Sequence, residues 1–109
     1  IRRALSAIAR RRGLMFEFDI LSEIKPVDCD TTIVDTIERI TRSAELPNTR
    51  MPSGAAHDAQ TIAHIASVGM VMIPSVGGRS HSSAEWTHWE DIEAGTTVLL
   101  QTLIALAEK

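Results

Sequence analysis

The sequence is poor in the residues that mark several protein classes. Cys29 is the single cysteine, so no internal disulfide can form and the chain fits a reducing, cytoplasmic compartment. Tyrosine is absent and the aromatic residues are few, which predicts an aliphatic core; they are Phe16, Phe18, Trp86 and Trp89. No apolar run approaches the ~20 residues of a membrane span, so we expect no membrane partner.

Acidic residues are missing from the beginning of the chain. All fourteen carboxylates follow Gly13, whereas five arginines lie among the first twelve residues. A net charge of −3 argues against general nucleic-acid binding. Such a basic helix most often has a solvated face, although contact with phosphate or an acidic protein surface stays open. The chain opens on Ile1 rather than methionine and has no signal-like segment; a missing initiator methionine is typical of a truncated or processed product.

The first 24 residues predict one helix followed by one strand. Ile1, Leu5 and Ile8 recur at helical spacing, and Gly13 stands where a C-terminal cap belongs. From residue 16 to residue 24 apolar and acidic residues alternate, as in a strand covered on one side. A helix and a strand are too little for a domain, so we interpret them as the closing unit of one whose beginning lies elsewhere. Residues 25–30 contain Pro26 and are predicted to be a linker.

The remainder predicts part of a layered α/β domain. Asp30 or Thr31 can cap a helix, and the apolar run 68–74 has the length of a strand buried on both faces. The other predicted elements are a loop over 45–52, a helix from 55–58 to about 67 with Ile62, Ile65 and Ala66 inward, a polar turn-rich segment over 75–88 and a helix over 90–108. Ligands of such folds lie beyond the carboxyl ends of strands, which favours the segment after residue 74.

Two histidines are the best candidates for chemistry. His81 lies among glycines and serines, and a neutral imidazole there can bind zinc or act as a general base. A surface histidine in a flexible loop is the commoner interpretation, since a catalytic zinc usually has three protein ligands. His57 follows small residues at a probable helix start, where it can face an anion or simply satisfy local backbone groups. His64 is predicted to be structural or exposed, and His88 a loop or cap residue.

Three ordered motifs resemble one hydrolase family. They are Pro52-Ser-Gly-Ala-Ala-His-Asp-Ala59, Gly69-Met-Val-Met-Ile-Pro-Ser75 and Gly78-Arg-Ser-His-Ser-Ser-Ala-Glu-Trp-Thr87. They are similar to the C-terminal portion of the N-carbamoyl-L-amino acid hydrolases, allantoate amidohydrolases and β-ureidopropionases, which are dinuclear-metal amidases related to zinc aminoacylases and carboxypeptidases. The family commonly has Ser-Gly-Ala-Gly-His-Asp-Ala and Gly-Ile-Ser-His-Ser-Pro-Glu-Glu at these places. Ala56, Arg79 and Ser83 therefore depart from the pattern, and their effect on specificity stays open.

The resemblance implies metal-dependent hydrolysis of a C–N bond in a small linear amide or ureide. It implies that His81 is one ligand of two divalent ions, most often zinc, with manganese, cobalt or nickel as alternatives. It implies that Ala56 contacts substrate through its main chain, with His57 beside it. The other ligands and the general base are expected upstream, so no catalytic base is expected in this chain and the isolated chain is expected to be inactive.

The resemblance also implies the division of the chain. Residues 1–24 would close an α+β lid that forms a homodimer, 25–30 would be the hinge, and 31–109 would complete the layered α/β catalytic domain. Two alternatives stay open at this point. One is an N-acyl amino acid or peptide hydrolase of the same superfamily. The other is a non-catalytic binding module that uses the arginine-rich helix, which predicts salt-sensitive binding to acidic partners.

Overall fold

The computed structural model describes residues 1–108, and within them the regular structure consists of four α-helices and one 3₁₀ turn. The helices are α1 (Arg2–Arg12), α2 (Thr31–Ser43), α3 (Asp58–Ile62) and α4 (Trp89–Ala107), with a 3₁₀ turn at Val76–Gly78 between α3 and α4. The radius of gyration is 19.8 Å, against roughly 13 Å for a compact chain of this length. The chain is therefore elongated and leaves much apolar surface uncovered.

Helix α1 ends where the sequence predicts. Gly13 adopts a left-handed conformation (φ 62°, ψ 29°), which a residue without Cβ reaches at little cost. The N–H of Leu14 donates to the carbonyl of Ala9 at 2.9 Å and closes the last turn. Beyond the helix, the guanidinium of Arg2 lies 5.0 Å from the ring centroid of Phe18, within the range of a cation–π contact. This contact is one link between α1 and the segment that follows it.

Helix α2 begins at a capping carboxylate, as predicted. The Oδ1 atom of Asp30 accepts the backbone N–H groups of Thr32 and Ile33 at 2.8 and 3.2 Å. Its Oδ2 atom accepts the hydroxyl of Ser67 at 2.9 Å, and its own N–H donates to the carbonyl of Val68 at 2.8 Å. Asp30 therefore joins the start of α2 to the start of the apolar segment 68–74.

The main helix contact is between α2 and α4. Val98 of α4 is only 3% exposed, and the buried apolar residues that the structure describes are Ala9, Val68 and Val98, in agreement with the predicted aliphatic core. Three threonines on these helices are also buried; they are Thr36, Thr41 and Thr102. Each donates its hydroxyl to the carbonyl four residues earlier, so all three of these buried hydroxyls have a partner. Helix α4 itself matches the prediction within one residue at each end.

The two predicted strands are not formed within residues 1–108. The segments 16–24 and 68–74 are irregular there, because a β-ladder needs a neighbouring strand and neither segment has one. Segment 68–74 nevertheless packs against both main helices. A Cβ on Gly69 would lie 2.3 Å from Cγ2 of Ile33 in α2, and one on Gly95 of α4 would lie 2.3 Å from Cγ2 of Ile73. Phe16, in contrast, is 44% exposed, so the first segment leaves its apolar face open.

The prediction for α3 was wrong in length and in its inward face. The helix begins at Asp58, inside the predicted window, but ends at Ile62 and continues only as turns. Ile62, Ile65 and Ala66 are exposed, and Ile65 is 88% so. The pattern cannot bury them because no other helix packs on that face in the described chain. None of the helices described combines the length and apolarity that crossing a bilayer demands.

Candidate functional site

The first candidate loop, residues 53–57, is closed by one serine. The hydroxyl of Ser53 lies 2.8 Å from Nε2 of His57 and accepts the N–H of Ala55 at 3.2 Å. The same hydroxyl is 3.4 Å from the carbonyl of Ala55, a longer contact. The loop thus fixes both the ring and its own backbone.

His57 also begins α3. It precedes Asp58 as the N-cap residue, and its N–H donates to the side-chain oxygen of Gln60 at 3.4 Å. Gln60 in turn donates its backbone N–H to the carbonyl of His57 at 2.9 Å. These two hydrogen bonds account for the backbone N–H and carbonyl groups of His57. The imidazole is half-buried, so it stays accessible beside a fixed main chain.

The second candidate loop, residues 75–87, is a closed Ω-like excursion from the apolar segment. Its two ends are held together, because Val76 donates its N–H to the carbonyl of Trp86 at 2.8 Å and Thr87 donates its hydroxyl to the carbonyl of Pro74 at 2.9 Å. Inside, the hydroxyl of Ser75 donates to the carbonyl of Arg79. Loops with joined ends present side chains from a fixed base, which suits a binding function.

His81 occupies an unusual backbone conformation within this loop. Its φ is 54°, and among non-glycine residues of the described chain only Glu45 shares a positive value. The N–H of His81 donates to the carboxylate of Glu85 at 2.9 Å, which holds this conformation in place. The side chain is exposed. A left-handed residue held by its neighbours is a common feature of ligand sites.

The structure does not join the two candidate loops. No hydrogen bond connects them in residues 1–108, and no group of three or more histidine, cysteine, aspartate or glutamate side chains lies close enough to hold a metal ion there. The groove between α2 and α4, lined by Ile40, Leu46 and Ala94, includes neither candidate histidine. The described chain therefore offers a metal ion a single imidazole, that of His81, in the second loop. A catalytic zinc usually takes three protein ligands.

The remaining histidines agree with their predicted roles. His64 is exposed in the turn after α3. His88 is the N-cap of α4, and its carbonyl accepts the N–H groups of Asp91 and Ile92, both at 3.1 Å. Each residue is therefore accounted for by the local backbone.

Sequence reasoning missed an ion-pair cluster at the surface of α2. Arg50 donates from Nε to Glu38 at 2.9 Å and from a terminal nitrogen to Asp35 at 2.7 Å. The hydrogen bond from Arg50 holds the pKa of Glu38 below its usual range, and Arg42 contributes to the same shift by its charge. The partners are 12 and 15 residues apart, so no periodic signal marks them. The one sequence signal is that Arg50 lies two residues before the first motif.

Comparison with known proteins identifies the family. The model of peptidase family M20/M25/M40 matches residues 12–105. The chain is 35% identical over 99 residues to an N-carbamoyl-L-amino-acid amidohydrolase of Paenarthrobacter aurescens, covering 91% of this chain and 24% of the relative. It is 38% identical over 101 residues to one of Geobacillus stearothermophilus (93% and 25%) and 32% identical over 103 residues to an allantoate amidohydrolase of Escherichia coli (94% and 25%).

The chain spans about a quarter of the length of these curated relatives. The resemblance drawn from the motifs is confirmed, because the family model and the amidohydrolase relatives agree over most of the chain. The match over residues 12–105 extends well upstream of the motifs themselves. This chain belongs to peptidase family M20/M25/M40.

Proposed function

We propose that the chain is the C-terminal part of a metal-dependent amidohydrolase that cleaves a C–N bond in a linear amide or ureide, such as an N-carbamoyl amino acid or an allantoate-like substrate. The observation that carries the proposal is the family match together with relatives that are named for these reactions. The two backbone-anchored loops supply the physical support, since each presents a histidine beside fixed main-chain groups.

In this proposal His81 is one ligand of the metal site. Enzymes of the family generally depend on two metal ions. Bound divalent ions would lower the pKa of a water and polarise the scissile carbonyl. An exposed imidazole whose backbone is fixed by Glu85 fits a single ligand position, and zinc is the metal most often bound by histidine, with manganese, cobalt or nickel as alternatives. The other ligands and the general base would lie outside this chain.

Ala56 and His57 would contact the substrate. Ala56 replaces a glycine of the family motif, and a main-chain contact survives that change only if φ is negative. Ala56 is not among the residues with positive φ, so the alanine is tolerated without strain. The hydrogen bond between Ser53 and His57 would present the imidazole ring to substrate in one orientation.

The division of the parent protein belongs to the same proposal. Residues 1–24 would end the α+β lid and dimerisation domain, 25–30 would form the hinge, and 31–109 would complete the layered α/β catalytic domain. The exposed apolar residues of segment 16–24 support this assignment, because neighbouring strands of a lid would cover them. The enzyme would work as a cytoplasmic homodimer, and the isolated chain would be inactive.

One alternative within the family has an observation in its favour. The matching family model describes peptidases, so an N-acyl amino acid or peptide substrate is the second candidate. The amidohydrolase relatives favour the ureide reading. A substrate panel that contains both classes separates the two.

The test uses the complete parent protein and a substitution matched to the backbone. His81→Asn removes the imidazole but keeps a residue that tolerates positive φ, whereas His81→Ala adds a conformational change. Bound metal is measured by elemental analysis, and hydrolysis is assayed on N-carbamoyl amino acids, allantoate, N-acyl amino acids and dipeptides. We expect the asparagine variant to lose metal and activity together. Full metal content with wild-type turnover would contradict the assignment of His81.

A further inference from the structure

The loop between α2 and the first motif is fastened to α2 at both ends. At its start, Glu45 adopts φ 57° and Leu46 donates its N–H to the carbonyl of Thr41 at 3.1 Å. Together with the bond from the Glu45 N–H to the Arg42 carbonyl at 3.0 Å, this is a Schellman motif. At its far end the only side chain that returns to α2 by hydrogen bonds, within residues 1–108, is that of Arg50.

Arg50 donates hydrogen bonds to two carboxylates, those of Asp35 and Glu38, which lie one turn apart on α2. Its Nε donates to Glu38 at 2.9 Å, and its terminal nitrogen donates to Asp35 at 2.7 Å and also contacts Glu38. A planar guanidinium with five donors suits this arrangement, whereas a lysine ammonium supplies only a point charge. The pairing raises the pKa of Arg50, chiefly through the hydrogen bond to Glu38.

The cluster is better suited to fixing geometry than to adding stability. The side chains of Arg50 and Asp35 are 54% and 65% exposed, while that of Glu38 is 20% exposed. Exposed ion pairs contribute little to the free energy of unfolding, because water and salt screen them. They do restrict where a side chain and its backbone can lie.

Arg50 lies close in sequence to the first candidate loop, residues 53–57, so fixing Arg50 also limits the position of that loop. Only Met51 and Pro52 separate Arg50 from Ser53, so the two Cα atoms are at most about 11 Å apart. Pro52 fixes one of the intervening backbone angles. Ser53 then holds the His57 ring at 2.8 Å and the Ala55 N–H at 3.2 Å. Hydrogen bonds from α2 to Arg50, the short backbone stretch 50–53 and the contact of Ser53 with His57 thus link α2 to the His57 ring.

We propose that Arg50 is a positioning residue that sets the substrate loop 53–57 by bracing it against Asp35 and Glu38 of α2. The inference rests on the proposed function for its consequence in catalysis, since Ala56 and His57 are assigned there to substrate contact. Arg50 itself touches no substrate in this assignment. Its loss would misplace groups that bind substrate in the ground state and the transition state alike.

The kinetic test compares Arg50→Ala with Arg42→Ala in the complete parent protein. Arg42 contacts the same carboxylate, Glu38, but only from within α2, so its removal leaves the brace intact. We expect Arg50→Ala to raise KM about tenfold with kcat within about twofold, since misplacement of about 1 Å can cost up to ~100-fold. Arg50→Lys is expected to recover part of the affinity. The metal content of Arg50→Ala is expected to match that of wild type. The control Arg42→Ala is expected to keep wild-type KM and kcat.

A second readout does not depend on turnover. Hydrogen–deuterium exchange of the peptide that spans residues 53–57 reports the Ala55 and His57 amides, both of which are hydrogen-bonded in the loop. We expect faster exchange there in Arg50→Ala and wild-type exchange in Arg42→Ala. If Arg50→Ala does not fold, the double variant Asp35→Asn/Glu38→Gln removes the partner charges instead and is judged by the same two readouts.

The outcomes separate this inference from the proposed function. Wild-type KM and unchanged exchange in the Arg50 or double variant would contradict the proposal that Arg50 positions loop 53–57. Loss of kcat and metal together with KM would also overturn it, because that result indicates general structural damage. A wild-type enzyme that hydrolyses nothing in the panel refutes the proposed function, while the exchange measurement still decides whether Arg50 holds the loop.

Discussion

Gly95 offers a test of how segment 68–74 packs on α4. Gly95 lies inside the helix, where alanine is favoured over glycine by about 1 kcal/mol. A Cβ at this position would lie 2.3 Å from Cγ2 of Ile73 and 3.8 Å from its Cβ. Ile73 is β-branched, so its χ1 cannot rotate freely away from the helix. Overpacking of this kind costs about 1–3 kcal/mol, so Gly95→Ala is expected to destabilise by about 0–2 kcal/mol.

The decisive measurement is a double-mutant cycle. Ile73→Ala removes the Cγ2 atom that the new Cβ would meet, so only the helix preference remains in that background. Gly95→Ala is then expected to stabilise by about 1 kcal/mol, and the coupling between the two sites should be about 1–3 kcal/mol. Thermal unfolding of the complete parent protein, followed by circular dichroism and calorimetry, measures the four variants.

Gly69→Ala provides the comparison without a helix term. Its Cβ would lie 2.3 Å from Cγ2 and 3.2 Å from Cβ of Ile33, and Gly69 is outside any helix. We therefore expect the full overpacking cost of about 1–3 kcal/mol. Equal effects of Gly95→Ala in the presence and absence of Ile73 would refute the reasoning, because they would mean that the segment does not rest on α4 at this point.

Two further predictions concern the anchor of the second candidate loop and the cap of α2. The first rests on the proposed role of His81 as a metal ligand. Glu85→Ala removes the acceptor for the His81 N–H and is then expected to weaken metal affinity of the parent protein about tenfold, with Glu85→Gln closer to wild type; metal titration measures both. Asp30 has a pKa below its usual range, first because of the Ser67 hydroxyl and then the Ile33 amide. Its contribution to stability is therefore complete above the unfolded-state pKa and lost as pH falls through the lower folded-state value. The melting temperature of wild type should drop more steeply than that of Asp30→Asn below about pH 4, and parallel curves would contradict this.

Local signals in the sequence predicted the helices well. The cap at Asp30, the glycine at position 13 and the apolar spacing of α4 are each interactions within a few residues. A helix satisfies its backbone groups internally, so its ends can be read from neighbouring residues. The predicted length of α3 was too great, because the apolar spacing continues to residue 66 although no surface covers those residues.

The strands required partners that local patterns do not contain. Alternation over 16–24 and the apolar run over 68–74 describe surfaces that suit a sheet, but the ladder bonds must come from other strands. The contacts of Gly69 and Gly95 indicate that the second segment already has helices on one side. Its predicted place in a layered α/β domain stays a prediction about the parent protein.

The candidate site follows the same division between local and distant information. The motifs marked the two loops, and the structure adds that each loop is fixed through its backbone, by Ser53 in one and by Glu85 in the other. The brace from Arg50 went unnoticed, because arginine on an exposed loop is common and its acidic partners lie more than three helical turns away in sequence. Fixed backbones with accessible imidazoles are what a site assembled from several parts of a chain requires. Each segment of such a site must hold its own functional groups in position, since errors of about 1 Å in their placement are costly in catalysis. For this reason the anchors Ser53, Glu85 and Arg50 are as informative about function as the histidines that they support.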